Sequence, residues 1–79
     1  MKDLLDYLLK GILGEEKFKI SEEESEGRIV FKIKTDSENI GLIIGKGGRM
    51  IKNLRNLLKV RATLEKKAVN LEIEEHQGL

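Results

Sequence analysis

Three glycines in four residues, Gly45-Lys46-Gly47-Gly48, stand between two stretches whose apolar residues repeat at helical spacing. No regular element runs comfortably through such a cluster, because glycine loses more backbone freedom on folding than any other residue. The chain must therefore stop one helix here and begin another. Upstream, Asp36 or Ser37 offers an N-cap and Ile40, Ile43 and Ile44 follow at i, i+3 and i+4, which predicts a helix over 37–44 ended by Gly45. Downstream, Ile51, Leu54, Leu57 and Leu58 form an apolar stripe, which predicts a helix over 48–60.

The remaining elements follow from periodicity. Leu4, Leu5, Leu8, Leu9, Ile12 and Leu13 share one side of a helix over 2–13, with Asp3 and Asp6 near its positive end and Gly14 as its stop. Phe18 and Ile20 alternate with Lys17 and Lys19, the polar run Ser21 to Gly27 reads as a turn, and Ile29, Phe31 and Ile33 then oppose Arg28, Val30, Lys32 and Lys34. These two runs predict a β-hairpin. Val69, Leu71 and Ile73 alternate with Asn70, Glu72 and Glu74 in a last strand over 67–75, so the order is α-β-β-α-α-β. A β-αα-β crossover brings its strands together in parallel, which predicts an α+β domain with a mixed three-stranded sheet covered on one face by three helices. Val30, Lys32, Lys34, Asn70, Glu72 and Glu74 are then left on the solvent side. Seventy-nine residues make a single domain over 1–79 that buries roughly 60% of its unfolded surface. Its tail, 76–79, is expected to be disordered.

Composition removes several classes of function. There is no cysteine and one histidine, His76, so a disulfide framework and the usual Cys/His metal sites are excluded; this fits a reducing, cytoplasmic setting. Asp3, Asp6 and Lys10 interrupt any signal-peptide core in the first ten residues, and no segment approaches the length of a membrane span. The acids lie in runs such as Glu22-Glu23-Glu24 or alternate along an outer strand face, without a nucleophile-base or metal-ligand constellation. No enzymatic activity, cofactor or metal is expected.

The net charge of +1 conceals a strong internal division. Residues 1–26 hold four lysines against eight acids, net −4; residues 27–68 hold eleven Lys or Arg against three acids, net +8; residues 69–79 add three Glu. A basic middle of this kind is an electrostatic footprint for a polyanion, although a lysine-rich solvated face would have the same composition. Arg49, Lys52, Arg55 and Lys59 step by 3, 3 and 4 along one side of the predicted helix, which carries no acid at all. At the head of this line the glycine loop leaves the backbone bare, so a sugar-phosphate strand can come close to the peptide planes and to the positive end of the helix dipole. Lys46 is a point charge at the tip, and Arg49 offers a planar fork. A plain helix C-cap and tight turn is the alternative. Neither G-x-x-x-x-G-K-[ST] nor G-x-G-x-x-G is present, so nucleotide-binding loops are excluded.

A G-x-x-G between two helices is the loop with which KH domains clamp about four nucleotides of single-stranded nucleic acid. Ile43-Ile44-Gly45-Lys46-Gly47-Gly48-Arg49-Met50-Ile51 resembles the KH signature, and α-β-β-α-α-β is the type II order of that fold. Over nearly the whole length, and most specifically over 40–58, the chain is similar to the small bacterial KH proteins of the KhpA family: Gly41, Gly45-Lys46, Gly48-Arg49, Lys52, Arg55 and Leu57-Leu58 all fit its pattern. Met50, Ile51 and Asn53 depart from it, where small or hydroxyl residues are common. The resemblance implies a cytoplasmic single-stranded RNA-binding protein, a post-transcriptional regulator or RNA chaperone, which pairs with itself or with a larger KH protein of the KhpB type. ssDNA is a further candidate ligand.

Carried over residue by residue, the resemblance makes Gly45, Gly47 and Gly48 the bare backbone and Lys46 and Arg49 the phosphate partners. Gly41 and Ile44 form the apolar floor, and Lys52 extends the basic wall. Core packing is the other reading of Ile44. With only Tyr7, Phe18 and Phe31 aromatic, and both Phe assigned to the core, stacking platforms are not expected. The rival function is an interaction module that mainly dimerises, to which Val30 and Met50 are modest pointers.

Overall fold

In the computed structural model, which describes residues 1–14 and 18–75, the strand Arg28–Thr35 is the middle one of the sheet and supplies the centre of the core. In chain order the elements are α1 (Lys2–Leu13), β1 (Phe18–Ser25), β2 (Arg28–Thr35), α2 (Ser37–Ile44), a 3-10 turn over Lys46–Gly48, α3 (Arg49–Leu64) and β3 (Ala68–Glu75). β1 pairs with β2 antiparallel, from Phe18↔Thr35 to Ser25↔Arg28. β3 pairs with β2 in parallel, from Arg28↔Ala68 to Thr35↔Glu75. The α-β-β-α-α-β order and mixed sheet are those expected. The tail 76–79, with His76, and Lys17 lie outside the described residues.

Alternation places Ile29, Phe31 and Ile33 of β2 on the helix side, where they meet Leu5 and Leu9 of α1, Ile43 of α2, Leu54 and Leu58 of α3, and Leu71 of β3. Burial of each such side chain is worth about 1.5–3 kcal/mol, so this cluster holds sheet and helices together. Val30, Lys32 and Lys34 face the other way, with Glu74 bridging Lys32 at 3.7 Å and Lys34 at 3.9 Å across the strands.

Three details differ from the periodicity. β1 continues through the polar run to Ser25, because ladder hydrogen bonds require a partner strand and not apolar side chains. The reversal is confined to Glu26-Gly27, with φ of 51° and 77°, the left-handed pair of a tight hairpin. Near this tip the helix-side position is Glu24, whose Oε2 lies 3.0 Å from Lys67 Nζ; that hydrogen bond and charge hold the lysine above its usual pKa. α3 runs to Leu64 because Ala62 extends its buried side beyond Leu58 and Arg61 pairs with Glu65 at 3.1 Å, one turn on. Leu57, assigned to the apolar stripe, is 48% exposed: Leu54, Leu58 and Ala62 already define the core side, and Leu57 sits one position, about 100°, away from it.

The junction that aims α2 is polar, with Thr35 and Asn39 buried and Asp36 exposed. Asp36 Oδ1 accepts from the Asn39 amide at 2.9 Å, and Asn39 Nδ2 donates to Thr35 Oγ1 at 3.1 Å. Asp36 is thus the N-cap, and the end of β2 is tied to the first turn of the helix that leads to the glycine loop.

Candidate nucleic-acid interface

The glycine loop is built by conformations that other residues avoid. Gly45 has φ 75° and ψ 176°, a region open almost only to glycine, and a Cβ there would stand 2.7 Å from Met50 Cβ. Gly47 and Gly48 are left-handed, with φ of 65° and 78°. The loop closes on itself: the Gly45 amide donates to Gly41 O at 2.9 Å, Gly48 to Gly45 O at 3.2 Å, and Arg49 to Lys46 O. Two amides at the head of α3 are therefore turned inward, which narrows the expected helix-end contribution. No side chain caps this end.

All eight predicted residues fall between Gly41 and Lys52. Lys46, Gly47, Arg49 and Lys52 are exposed; Gly45 and Gly48 are half-buried by the turn. Ile44 is 38% exposed while Ile43 is fully buried, so Ile44 projects from the core instead of filling it. Gly41 is exposed on the same side of α2, one turn before Ile44, and a Cβ at Gly41 would meet nothing within 4 Å. Neither sterics nor backbone angle demands glycine there, so bareness is the property left to explain it.

The described cations divide by whether a carboxylate lies beside them, and of those without one Lys2, Lys19, Arg28 and Lys66 lie apart on other elements while five share one line. Lys10, Lys32, Lys34, Arg61 and Lys67 each lie within 4 Å of a carboxylate. Lys46, Arg49, Lys52, Arg55 and Lys59, in the loop and along one side of α3, have no carboxylate partner among the described residues. Charge left uncompensated along one line is available to an outside anion. No group of three or more His, Asp or Glu positioned for a metal occurs among the described residues.

Past the loop, a groove of about 320 Å³ opens between α3 and β3, lined by Arg55, Leu58, Lys59, Val69, Asn70 and Leu71. Arg55 Nη2 donates to the Leu71 carbonyl at 3.4 Å, and the Leu71 amide donates to Asn70 Oδ1 at 3.0 Å. Sequence reasoning carried the basic line as far as Arg55 and Lys59 but placed no strand beside them. Periodicity shows which face of β3 is buried; it does not show what lies along its edge.

A G-x-x-G loop between two helices, inside an α-β-β-α-α-β chain whose last strand runs parallel to the second, defines a KH domain of type II. The family model "KhpA/KhpB, KH domain" matches residues 2–73, and the chain belongs to that family. It is 42% identical over 59 residues to the RNA-binding protein KhpA of Thermotoga maritima, covering 73% of this chain and 79% of that one. Its identity to the RNA-binding protein KhpA of Chlamydia pneumoniae is 36% over 78 residues, covering 98% and 100%. With that of Aquifex aeolicus it shares 32% over 76 residues, covering 95% and 96%.

Proposed function

We propose that this chain, as one domain, binds single-stranded RNA through a G-x-x-G phosphate clamp and acts on transcripts in the cytoplasm as a post-transcriptional regulator or RNA chaperone, without a cofactor. The observation that carries the reading is the line of five cations without carboxylate partners, beginning at a bare-backbone loop. Lys46 and Arg49 neutralise phosphates, Lys52 extends the wall, and Gly45, Gly47 and Gly48 let the strand approach. Gly41 and Ile44 form the floor on which bases lie. The naming of relatives as RNA-binding proteins supports the polyanion being RNA. Phe31 is buried and Phe18 half-buried, and the exposed aromatic, Tyr7, is on α1 and not on the loop or α3, so apolar contact and hydrogen bonds hold the bases. One such groove gives weak, salt-dependent binding of broad sequence tolerance.

The test is the double substitution Lys46→Asp with Gly47→Asp. It should abolish binding of a fluorescent single-stranded RNA in anisotropy while the far-UV spectrum stays unchanged. A folded variant that binds as well as the original would remove the clamp.

A second reading, pairing with another copy or with a larger KH-containing protein, is favoured by Leu57, Val60 and Leu64. These are 48%, 63% and 76% exposed at i, i+3 and i+7 on α3. They lie roughly 140° round the helix from Lys52, Arg55 and Lys59, so pairing there leaves the basic line open. Light scattering of Leu57→Glu against the unaltered chain tests it: a self-associating chain should become monomeric.

A further inference from the structure

We infer that the outer edge of β1, between Ile20 and Glu24, takes up an extended lysine- or arginine-rich segment of another protein as a fourth strand of the sheet. This is a second surface, on a different element from the RNA site proposed above and independent of it.

Among the described residues β1 is an outer strand, paired with β2 on one edge only. The Glu26-Gly27 turn closes on the pair Ser25↔Arg28, and pairs that exchange hydrogen bonds alternate along the ladder with pairs that do not. Ser25, Glu23 and Ser21 therefore direct their peptide groups to β2, while Glu24, Glu22 and Ile20 direct theirs outward. Every residue from Ser21 to Ser25 is exposed, so the helices cover neither face of this half of the strand. Strand addition uses such a row: main-chain hydrogen bonds hold the incoming segment, and its alternate side chains meet the two faces.

An open edge is normally blunted by shortness, a bulge, a proline or a lysine. β1 has eight residues, pairs one-to-one over its whole length, and has neither proline nor a basic residue from Ile20 to Glu26. Its protection is negative charge: Glu22 and Glu24 on the helix side, opposite the buried Phe31 and Ile29, and Glu23 on the outer side. Charge of one sign repels one class of partner. A second copy could offer its own β1 or its β3, and both carry acids, at Glu22 to Glu24 and at Glu72, Glu74 and Glu75; like charges set across from each other destabilise the pairing. A cationic strand does the opposite. Glu22, Glu23 and Glu26 have no cation within 4 Å among the described residues, and Glu24 has Lys67. Lys or Arg at alternate positions of an added strand would meet Glu22 and Glu24 or, one residue along, Glu23.

The experiment follows amide hydrogen exchange by NMR in the full chain, with a capped peptide of alternating Lys and Thr and an analogue in which Gln replaces each Lys. At saturation the Lys peptide should slow exchange about tenfold at Ile20, Glu22 and Glu24 and leave Ser21 and Glu23, whose amides already face β2, unchanged. The Gln peptide should bind about tenfold more weakly, the effect of two or three cross-strand charge pairs. A Lys peptide methylated on its central amide nitrogens keeps its charge but cannot donate to the edge, and should leave the three amides unprotected. Glu22→Lys with Glu23→Lys, both at exposed positions, should cancel the preference for lysine. The peptide comparisons need only the unaltered chain and decide the matter even if that variant misfolds. Protection without the alternation, equal binding of the methylated or the Gln peptide, a lysine preference that survives the double substitution, or no binding of the Lys peptide overturns the inference. None of these outcomes bears on the RNA clamp, whose own test is the loop variant above.

Discussion

Two of the left-handed reversals among the described residues, at Glu26-Gly27 and at Gly45–Gly48, solve the same backbone problem with different means. The hairpin turn needs one glycine and tolerates Glu26 at φ 51°. The helix-to-helix loop uses three, only one of which, Gly45, is pressed against a neighbour, at 2.7 Å from Met50 Cβ to a would-be Cβ. At Gly47 and Gly48 a Cβ would meet nothing within 4 Å. The hairpin carries Glu22, Glu23, Glu24 and Glu26, with Arg28 and Lys67 beside them, whereas the loop carries Lys46, Arg49 and Lys52 with no acid anywhere from Asn39 to Leu64. The difference teaches that a tight turn by itself explains neither the surplus glycine nor the sign of the charge beside it. Both make sense if a polyanion has to reach the backbone at one turn and not at the other.

The comparison can be broken most directly at Gly45. Gly45→Ala combines a glycine-only backbone region with overlap against Met50, and should lower stability by about 2–4 kcal/mol in urea unfolding. Gly27→Ala meets only the left-handed penalty, about 1–2 kcal/mol. Equal losses would show that the two turns are under the same constraint.

Salt dependence probes the charge. If Lys46, Arg49 and Lys52 each neutralise one phosphate, log affinity should fall with log salt at a slope of about −2, close to a twentyfold loss between 50 and 200 mM. Lys46→Ala should reduce the slope by about 0.7, whereas Lys32→Ala on the far side of the sheet should leave it unchanged.

Gly11 and Gly41 sharpen the point, since both are helical and a Cβ on either meets nothing within 4 Å. Alanine at each should stabilise the fold by about 0.5–1 kcal/mol. Gly41→Leu should weaken RNA binding in anisotropy and Gly11→Leu should not; equal behaviour would deprive Gly41 of its place in the floor. The smallest effect concerns the hairpin: Glu26→Asn relieves the left-handed glutamate and should raise stability by about 0.5 kcal/mol in thermal unfolding, with RNA affinity unchanged.

Most of the element order was legible because its signals are local. Gly14 and Gly45 stop helices where expected, and Asp36 caps the Asn39 amide as its residue type predicts. Ile29, Phe31 and Ile33 are buried together because alternation is a property of any strand. The misreadings arose where the deciding partner is distant in sequence. Ser21 to Ser25 are polar and looked like a turn, but β2 supplies the ladder. Leu57 and Leu58 are equally apolar, and only the packing of Leu58 against the sheet separates them.

By itself, then, the sequence determined the six-element order, the bare loop and the line of cations from Lys46 to Lys59, because backbone freedom, capping and helical period depend on near neighbours. The tertiary structure alone decided that Arg55 meets the edge of β3 and that Ile44 points out beside Gly41 while Ile43 fills the core. It likewise decided that Leu57, Val60 and Leu64 are left uncovered. Each of these depends on which surface a folded neighbour occupies, and that follows from packing the whole chain around β2.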